Sequence, residues 1–216
     1  MSPDQHSDTA TPVHWTRYDA SIQPQALVLM LHGGKDRGEQ VVDGRSLSWR
    51  RSASMQREVA RRFQEAGAST WLLRFARRGW NGGVDRIADA RRALDDVRRE
   101  LGDVPVVLLG HSMGGRTAVH VADDPSVRGV VALAPWLPPG ESVTALAGKD
   151  LYAAHGRRDR ITSARGTAEY VRRASEVAAH TEFHDMGNVG HYLLRERTAW
   201  NDFAVDSALR VLTRHG

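Results

Sequence analysis

The stretch VVLLGHSMGGRTAV, residues 106–119, runs apolar and β-branched up to a serine set between two glycines, Gly110 and Gly114. Residues 104–110 have the length and composition of a buried strand, and residues 113–122 have helical spacing. A chain that turns sharply from strand to helix at Ser112 pushes the serine side chain beyond the edge of the sheet. Such a turn strains the serine backbone and brings neighbouring Cβ atoms into collision. Gly110 and Gly114 remove those collisions, and Gly115 lets the helix pack close to the sheet. The G-x-S-x-G arrangement that results is a turn suited to presenting a nucleophile. As a bare pattern it is short enough to arise by chance; its place between a buried strand and a helix gives it weight.

Outward from this turn, short apolar runs alternate with longer amphipathic ones. Strands are expected at 26–33, 69–75, 104–110, 127–134, 150–156 and 180–186, and 13–20 is read as an antiparallel edge strand. Most of these runs lack polar/apolar alternation, as do strands covered on both faces. In 84–101, Val84, Ile87, Ala88, Leu94, Val97 and Leu101 are assigned to one helical face, with Asp and Arg opposite. Further helices are expected around 52–66, 163–178 and 196–212. This order predicts an α/β protein: a three-layer α/β/α sandwich on a mostly parallel sheet with right-handed crossovers. The interval 135–149, with Pro135, Pro138 and Pro139, is too short for a lid domain. Residues 1–12 read as a disordered N-terminal tail and 13–216 as a single domain.

Composition narrows the function classes. Of the 30 basic residues all but Lys35 and Lys149 are arginine, and they are scattered among 26 acids. No clustered basic patch or recognition motif points to nucleic acid. Without cysteine the chain has no disulfide, thiolate metal site or cysteine nucleophile. The polar first dozen residues lack a signal-peptide core, and no run approaches the roughly 18 apolar residues of a membrane span. The expectation is a cytoplasmic protein without a membrane partner, monomeric or homodimeric. Histidines at zinc-binding spacing, a G-x-G-x-x-G fingerprint and a phosphate-binding G-x-x-x-x-G-K-[ST] loop are all missing, so neither metal nor cofactor is expected.

A serine hydroxyl needs a base to take its proton, and the base needs a carboxylate to orient it. AAHGRRDRIT closes the strand at 150–156 and places Asp159 in the next loop; HDMGNVGHY closes the last strand and places His191 beyond it. Ser112, Asp159 and His191 would then emerge from strand ends on one edge of the sheet. His184 is a rival base on the last strand, and Glu141 and Asp185 are rival acids. His32, His111 and His155 are read as structural.

LHGG at 31–34, GHSMGG at 110–115, HGRRD at 155–159 and GH at 190–191 resemble, in order and spacing, the motifs of the α/β-hydrolase superfamily. The resemblance runs from about Ala26 to the last helix, with reduced N-terminal strands and no lid domain. Within the superfamily the chain is similar to small, lidless serine esterases and dienelactone-hydrolase-like enzymes, though it has serine where true dienelactone hydrolases have cysteine. The resemblance implies a Ser112–His191–Asp159 triad and an oxyanion hole made by the N–H groups of Met113 and Gly34, with Lys35 as the alternative to Gly34. It implies hydrolysis of carboxylic esters of small soluble molecules; thioesters, amides, acyl transfer or a catalytically silent binding role are the other uses of the fold. Lys35, Trp80 and Trp136 are candidate pocket residues. Arg77, Arg78 and Arg116 are candidates for binding a substrate carboxylate or, alternatively, for ion pairs. Arg157, Arg158 and Arg160 are expected to turn away from Asp159.

Overall fold

The computed structural model describes residues 14–20 and 23–215. The tail expected at 1–12 lies outside the described residues. The strands are β1 (His14–Tyr18), β2 (Ala26–Leu31), β3 (Ala68–Arg74), β4 (Val106–His111), β5 (Val127–Leu133), β6 (Asp150–His155) and β7 (His180–Asp185). Among the described residues the helices are α1 (Leu47–Glu65), α2 (Val84–Leu101), α3 (Met113–His120), α4 (Ala164–Ala174) and α5 (Arg197–Arg214), with a 3₁₀ turn at Thr144–Leu146. The described strands form one sheet in the order β1-β3-β2-β4-β5-β6-β7. Only β1 is antiparallel, pairing with β3 as the edge strand expected from the sequence.

The central strands are apolar throughout because helices cover both faces. Leu27, Leu29 and Leu31 of β2 pack with Leu94 and Val97 of α2, Ala118 of α3 and Tyr170 of α4. Val28 and Met30 of the same strand point the other way, into Val59 and Phe63 of α1 and Trp200 and Ala204 of α5. The successive side chains of one strand thus feed two separate cores, the requirement of a three-layer sandwich.

The α2 assignment needs correction. Val84 is 76% exposed, and the face turned to the sheet holds Arg86, Asp89, Ala90, Ala93, Leu94 and Val97. Apolar spacing alone set the wrong edge of this face, because a buried ion pair occupies its first turns. Arg86 meets Asp89 at 3.2 Å, donates to the Arg77 carbonyl at 2.6 Å, and Asp89 accepts from the Ala76 amide at 3.3 Å. These polar groups stay inside because they satisfy backbone atoms just past the end of β3.

That anchored segment holds the loop after β2. The Lys35 amide donates to the Arg78 carbonyl and the Trp80 amide to the Lys35 carbonyl, both at 2.8 Å, and the Arg78 amide donates to Gln40 at 2.9 Å. Residues 33–42 are thereby fixed at the rim of the sheet. Cross-strand register brings the ends of β2, β4, β5 and β6 to the same edge, with Leu31 beside Gly110, His111 beside Leu133, and Leu133 beside Ala154.

Candidate active site

Between the last residue of β4 and the first of α3, Ser112 has φ 55° and ψ −118°, a backbone conformation that L-residues rarely adopt. Strain of this kind costs about 1–3 kcal/mol and persists only where the surroundings impose it. Here the Ser112 amide donates to the Leu133 carbonyl at 3.0 Å, and its carbonyl accepts from the Trp136 amide at 3.1 Å. The turn is also packed too tightly for side chains. A Cβ at Gly114 would lie 2.5 Å from the Leu31 carbonyl carbon and 2.8 Å from the His32 oxygen, and one at Gly110 would strike the Gly114 carbonyl.

The structure brings Ser112, His191 and Asp159 together. His191 Nε2 lies 3.0 Å from Ser112 Oγ, and His191 Nδ1 lies 2.7 Å from Asp159 Oδ2. Nδ1–H donates to the carboxylate, which leaves the Nε2 lone pair facing the serine hydroxyl. Ser112 and His191 are each only 6% exposed, and the Asp159 side chain is buried as well.

Asp159 is held by more than His191. Its Oδ1 accepts from the amides of Ile161 and Thr162 at 2.7 and 2.9 Å, and its Oδ2 accepts from the Thr162 hydroxyl at 2.8 Å. His155 Nε2 sits 3.1 Å from the same Oδ2, while its Nδ1 accepts from the Thr167 hydroxyl at 2.8 Å. Burial pushes the Asp159 carboxyl upward, but hydrogen bonds from His155, His191 and the two amides outweigh it and hold the group far below the usual carboxylate range. The sequence marks His155 only as a structural histidine and gives no direct sign of its contact with Asp159. The available signal is spacing: in H155-G-R-R-D159 the strand end and the loop residue are four apart across a tight turn. Thr162 left no such signal.

The rivals lie elsewhere. Glu141 is ion-paired with Arg116 and meets His120 Nε2 at 2.8 Å. Asp185 accepts from Arg157 at 2.6 Å, and His184 is exposed with its ring 5.3 Å from that of Phe203. Arg157 therefore turns away from Asp159, and Arg158 and Arg160 are exposed. His32 and His111 are buried supports. His32 Nδ1–H donates to the Gly33 carbonyl at 2.6 Å and its Nε2 accepts from the Phe75 amide at 3.2 Å, while burial lowers its pKa to about 4. His111 Nε2–H donates to the His191 carbonyl at 2.9 Å; burial, then the neighbouring His191, lowers its pKa to about 3.

Met113 contributes the first amide of α3, which has no acceptor within the helix. Gly34 packs so closely that a Cβ would lie 2.5 Å from both the Arg78 carbonyl and the Met113 sulfur. Lys35 has its amide committed to Arg78. Trp80 is 5% exposed and Trp136 half-buried, and the Arg116 guanidinium is clamped between their rings at 4.3 and 4.5 Å. Arg77 pairs with Glu39 at 3.5 Å and Arg78 with Asp43 at 3.2 Å. All three arginines weighed for a substrate carboxylate thus have acidic partners of their own.

Residues 28–213 match the family described as Alpha/beta hydrolase family. The chain belongs to that family. No curated protein matches it in sequence. Among solved structures this hydrolase-family chain is similar to a putative α/β hydrolase of unknown function, ATU1826 from Agrobacterium tumefaciens, at 15% identity and TM-score 0.73, over 93% of this chain and 92% of that one. It is similar to an α/β serine hydrolase homologue from Coxiella burnetii at 16% identity and TM-score 0.69, over 90% of both chains. The thermophilic esterase Est2 of Thermogutta terrifontis, solved with butyrate bound, aligns at 15% identity and TM-score 0.68, over 97% of this chain and 91% of that one. These likenesses describe the fold. Among the described residues, no helix is long and apolar enough to cross a membrane.

Proposed function

We propose that the protein is a serine hydrolase that cleaves carboxylic esters of small molecules through an acyl-enzyme. The observation that carries this reading is the pair of hydrogen bonds that joins Ser112 Oγ to His191 Nε2 at 3.0 Å and His191 Nδ1 to Asp159 Oδ2 at 2.7 Å. His191 takes the proton of Ser112 as Oγ attacks the ester carbonyl carbon. The Met113 and Gly34 amides hold the oxyanion, each such donor being worth about 3–4 kcal/mol in the transition state. Collapse of the tetrahedral intermediate breaks the bond to the alcohol, which leaves with the proton from His191. Water, deprotonated by the same imidazole, then attacks the acyl-serine and releases the acid. Asp159 stays ionised throughout, fixing the imidazole tautomer and stabilising the imidazolium.

Hydrolysis of p-nitrophenyl acetate, butyrate and octanoate, together with fluorophosphonate labelling, tests this reading. Ser112 should carry the label. Ser112→Ala and His191→Ala should each lose kcat by on the order of 10⁶-fold, and Asp159→Asn by about 10⁴-fold. Activity should fall from the short to the long acyl chain. A folded protein that neither labels nor turns over any of these esters would overturn the proposal.

A further inference from the structure

A cleft of about 640 Å³ opens between β1, α1 and the segment 193–201. Its wall includes Trp49, Arg51, His111 and Leu193, and the exposed side chains of Leu47 and Leu194 line it as well. Arg62, Arg98, Arg116 and Arg197 each meet a carboxylate. Arg51, half-buried in the cleft wall, differs from them in having no carboxylate within ion-pair reach among the described residues. The acid that shares the lining, Glu58, is already taken up by Arg197, Asn201 and Ser54. The cleft therefore holds a guanidinium with no acid of the described chain left to pair with it.

The cleft adjoins the triad along two lines of contact. His111 directly precedes Ser112, and its ring centroid lies 4.9 Å from that of His191. Tyr192 follows His191, meets that ring edge-on at 5.4 Å, and lies under the Arg51 guanidinium at 4.6 Å. A planar guanidinium with free N–H groups matches a carboxylate better than any neutral acceptor does. The apolar side chains around it suit a short hydrocarbon or aromatic spacer.

We propose that this cleft is a carboxylate subsite: the ester cleaved at Ser112 carries a second, ionised carboxylate on an apolar spacer, and that carboxylate accepts hydrogen bonds from the terminal N–H groups of Arg51. The assignment rests on the hydrolase reading above. It gives Arg51 the role of a specificity determinant, one that acts on binding while the bond-breaking steps stay with the triad.

The test compares paired substrates that differ in one charge. On the acyl side these are mono-p-nitrophenyl adipate and p-nitrophenyl hexanoate; on the alcohol side, 4-(butyryloxy)benzoate and phenyl butyrate. Wild type should prefer the anionic member of at least one pair by about 10- to 100-fold in kcat/KM, mostly through KM, the range expected for hydrogen bonds to a charged group. Arg51→Gln should bring that ratio to about one, and Arg51→Lys, which keeps the charge but loses the planar fork, should retain part of it. Arg61→Gln, which removes an exposed arginine paired with Glu65 on the same helix, should leave the ratio as in wild type. Thermal unfolding of each variant checks that it folds. Equal treatment of both members of both pairs by wild type, or a preference that survives in Arg51→Gln, would overturn the subsite. Cleavage of the neutral esters, lost in Ser112→Ala, reports separately on the hydrolase reading. Should no ester be cleaved, calorimetric titration of wild type and Arg51→Gln with adipate and 4-hydroxybenzoate decides the subsite alone: binding lost in the variant supports it, and no binding to wild type refutes it.

Discussion

Moving the pH from 7 to 5 should weaken this fold through two histidines that it buries in neutral form. His32 is completely enclosed and has both ring nitrogens engaged, one as donor to Gly33 and one as acceptor from Phe75. His111 is enclosed behind Ser112 and donates to the His191 carbonyl. Burial lowers their pKa values to about 4 and about 3, so both remain largely uncharged in the folded protein at pH 5. In the unfolded chain a histidine titrates near 6.5 and is mostly charged at that pH. The unfolded state therefore binds more protons over this window, and stability rises with pH there; equivalently, it is lost as the pH falls below about 6.5. Integrating from pH 7 to pH 5 gives about 1.8 kcal/mol for each histidine and about 3.6 kcal/mol for the two, a large share of a typical 5–15 kcal/mol. Urea unfolding of wild type, His32→Gln and His111→Gln at both pH values measures it, because groups common to all three proteins cancel in the differences. Each variant should lose about 1.8 kcal/mol less than wild type between the two pH values, whatever its stability at pH 7. A variant with the same pH loss as wild type would mean that its histidine titrates alike in both states, and the buried placement would be wrong.

Two further perturbations address the turn and the acid. Gly114→Ala pushes a methyl group into the β2 backbone and should cost about 3 kcal/mol or more, lowering Tm by roughly 6–12 °C, whereas Gly44→Ala, which meets nothing within 4 Å, should leave Tm nearly unchanged. Glu141→Gln breaks a buried ion pair with Arg116 and should destabilise the protein by about 3–5 kcal/mol. Its esterase kcat should stay within about threefold of wild type, whereas that of Asp159→Asn should collapse by about 10⁴-fold; the reverse result would move the acid to Glu141.

Much of the site was legible because its signals are local. Ser112 is marked by glycines two residues away on either side, and the steric demand that selects them acts within one turn of chain. Asp159 and His191 follow strand ends, so a reading of strand boundaries was enough to carry them to one rim. Val84 shows where such reasoning fails: helical spacing identifies an apolar face, but the buried face of α2 was set by Arg86 and Asp89, whose partners lie past the end of β3. His155 failed for a related cause. A histidine at a strand end looks the same in sequence whether it fills space or hydrogen-bonds a carboxylate such as Asp159.

By itself, then, the sequence determined the layered α/β architecture, through apolar runs of strand length alternating with amphipathic ones, and the strand-to-helix turn that presents Ser112. Both depend on short-range periodicity and sterics. Only the tertiary structure decided which charges find partners. Arg116 meets Glu141 and two tryptophans, Arg77 and Arg78 bind the loop after β2, and Arg51 is left facing a cleft beside His111 and Tyr192. One arginine cannot be told from another along the chain. Their different chemistry comes from long-range packing, which fixes how much water each guanidinium loses and whether a carboxylate stands within reach.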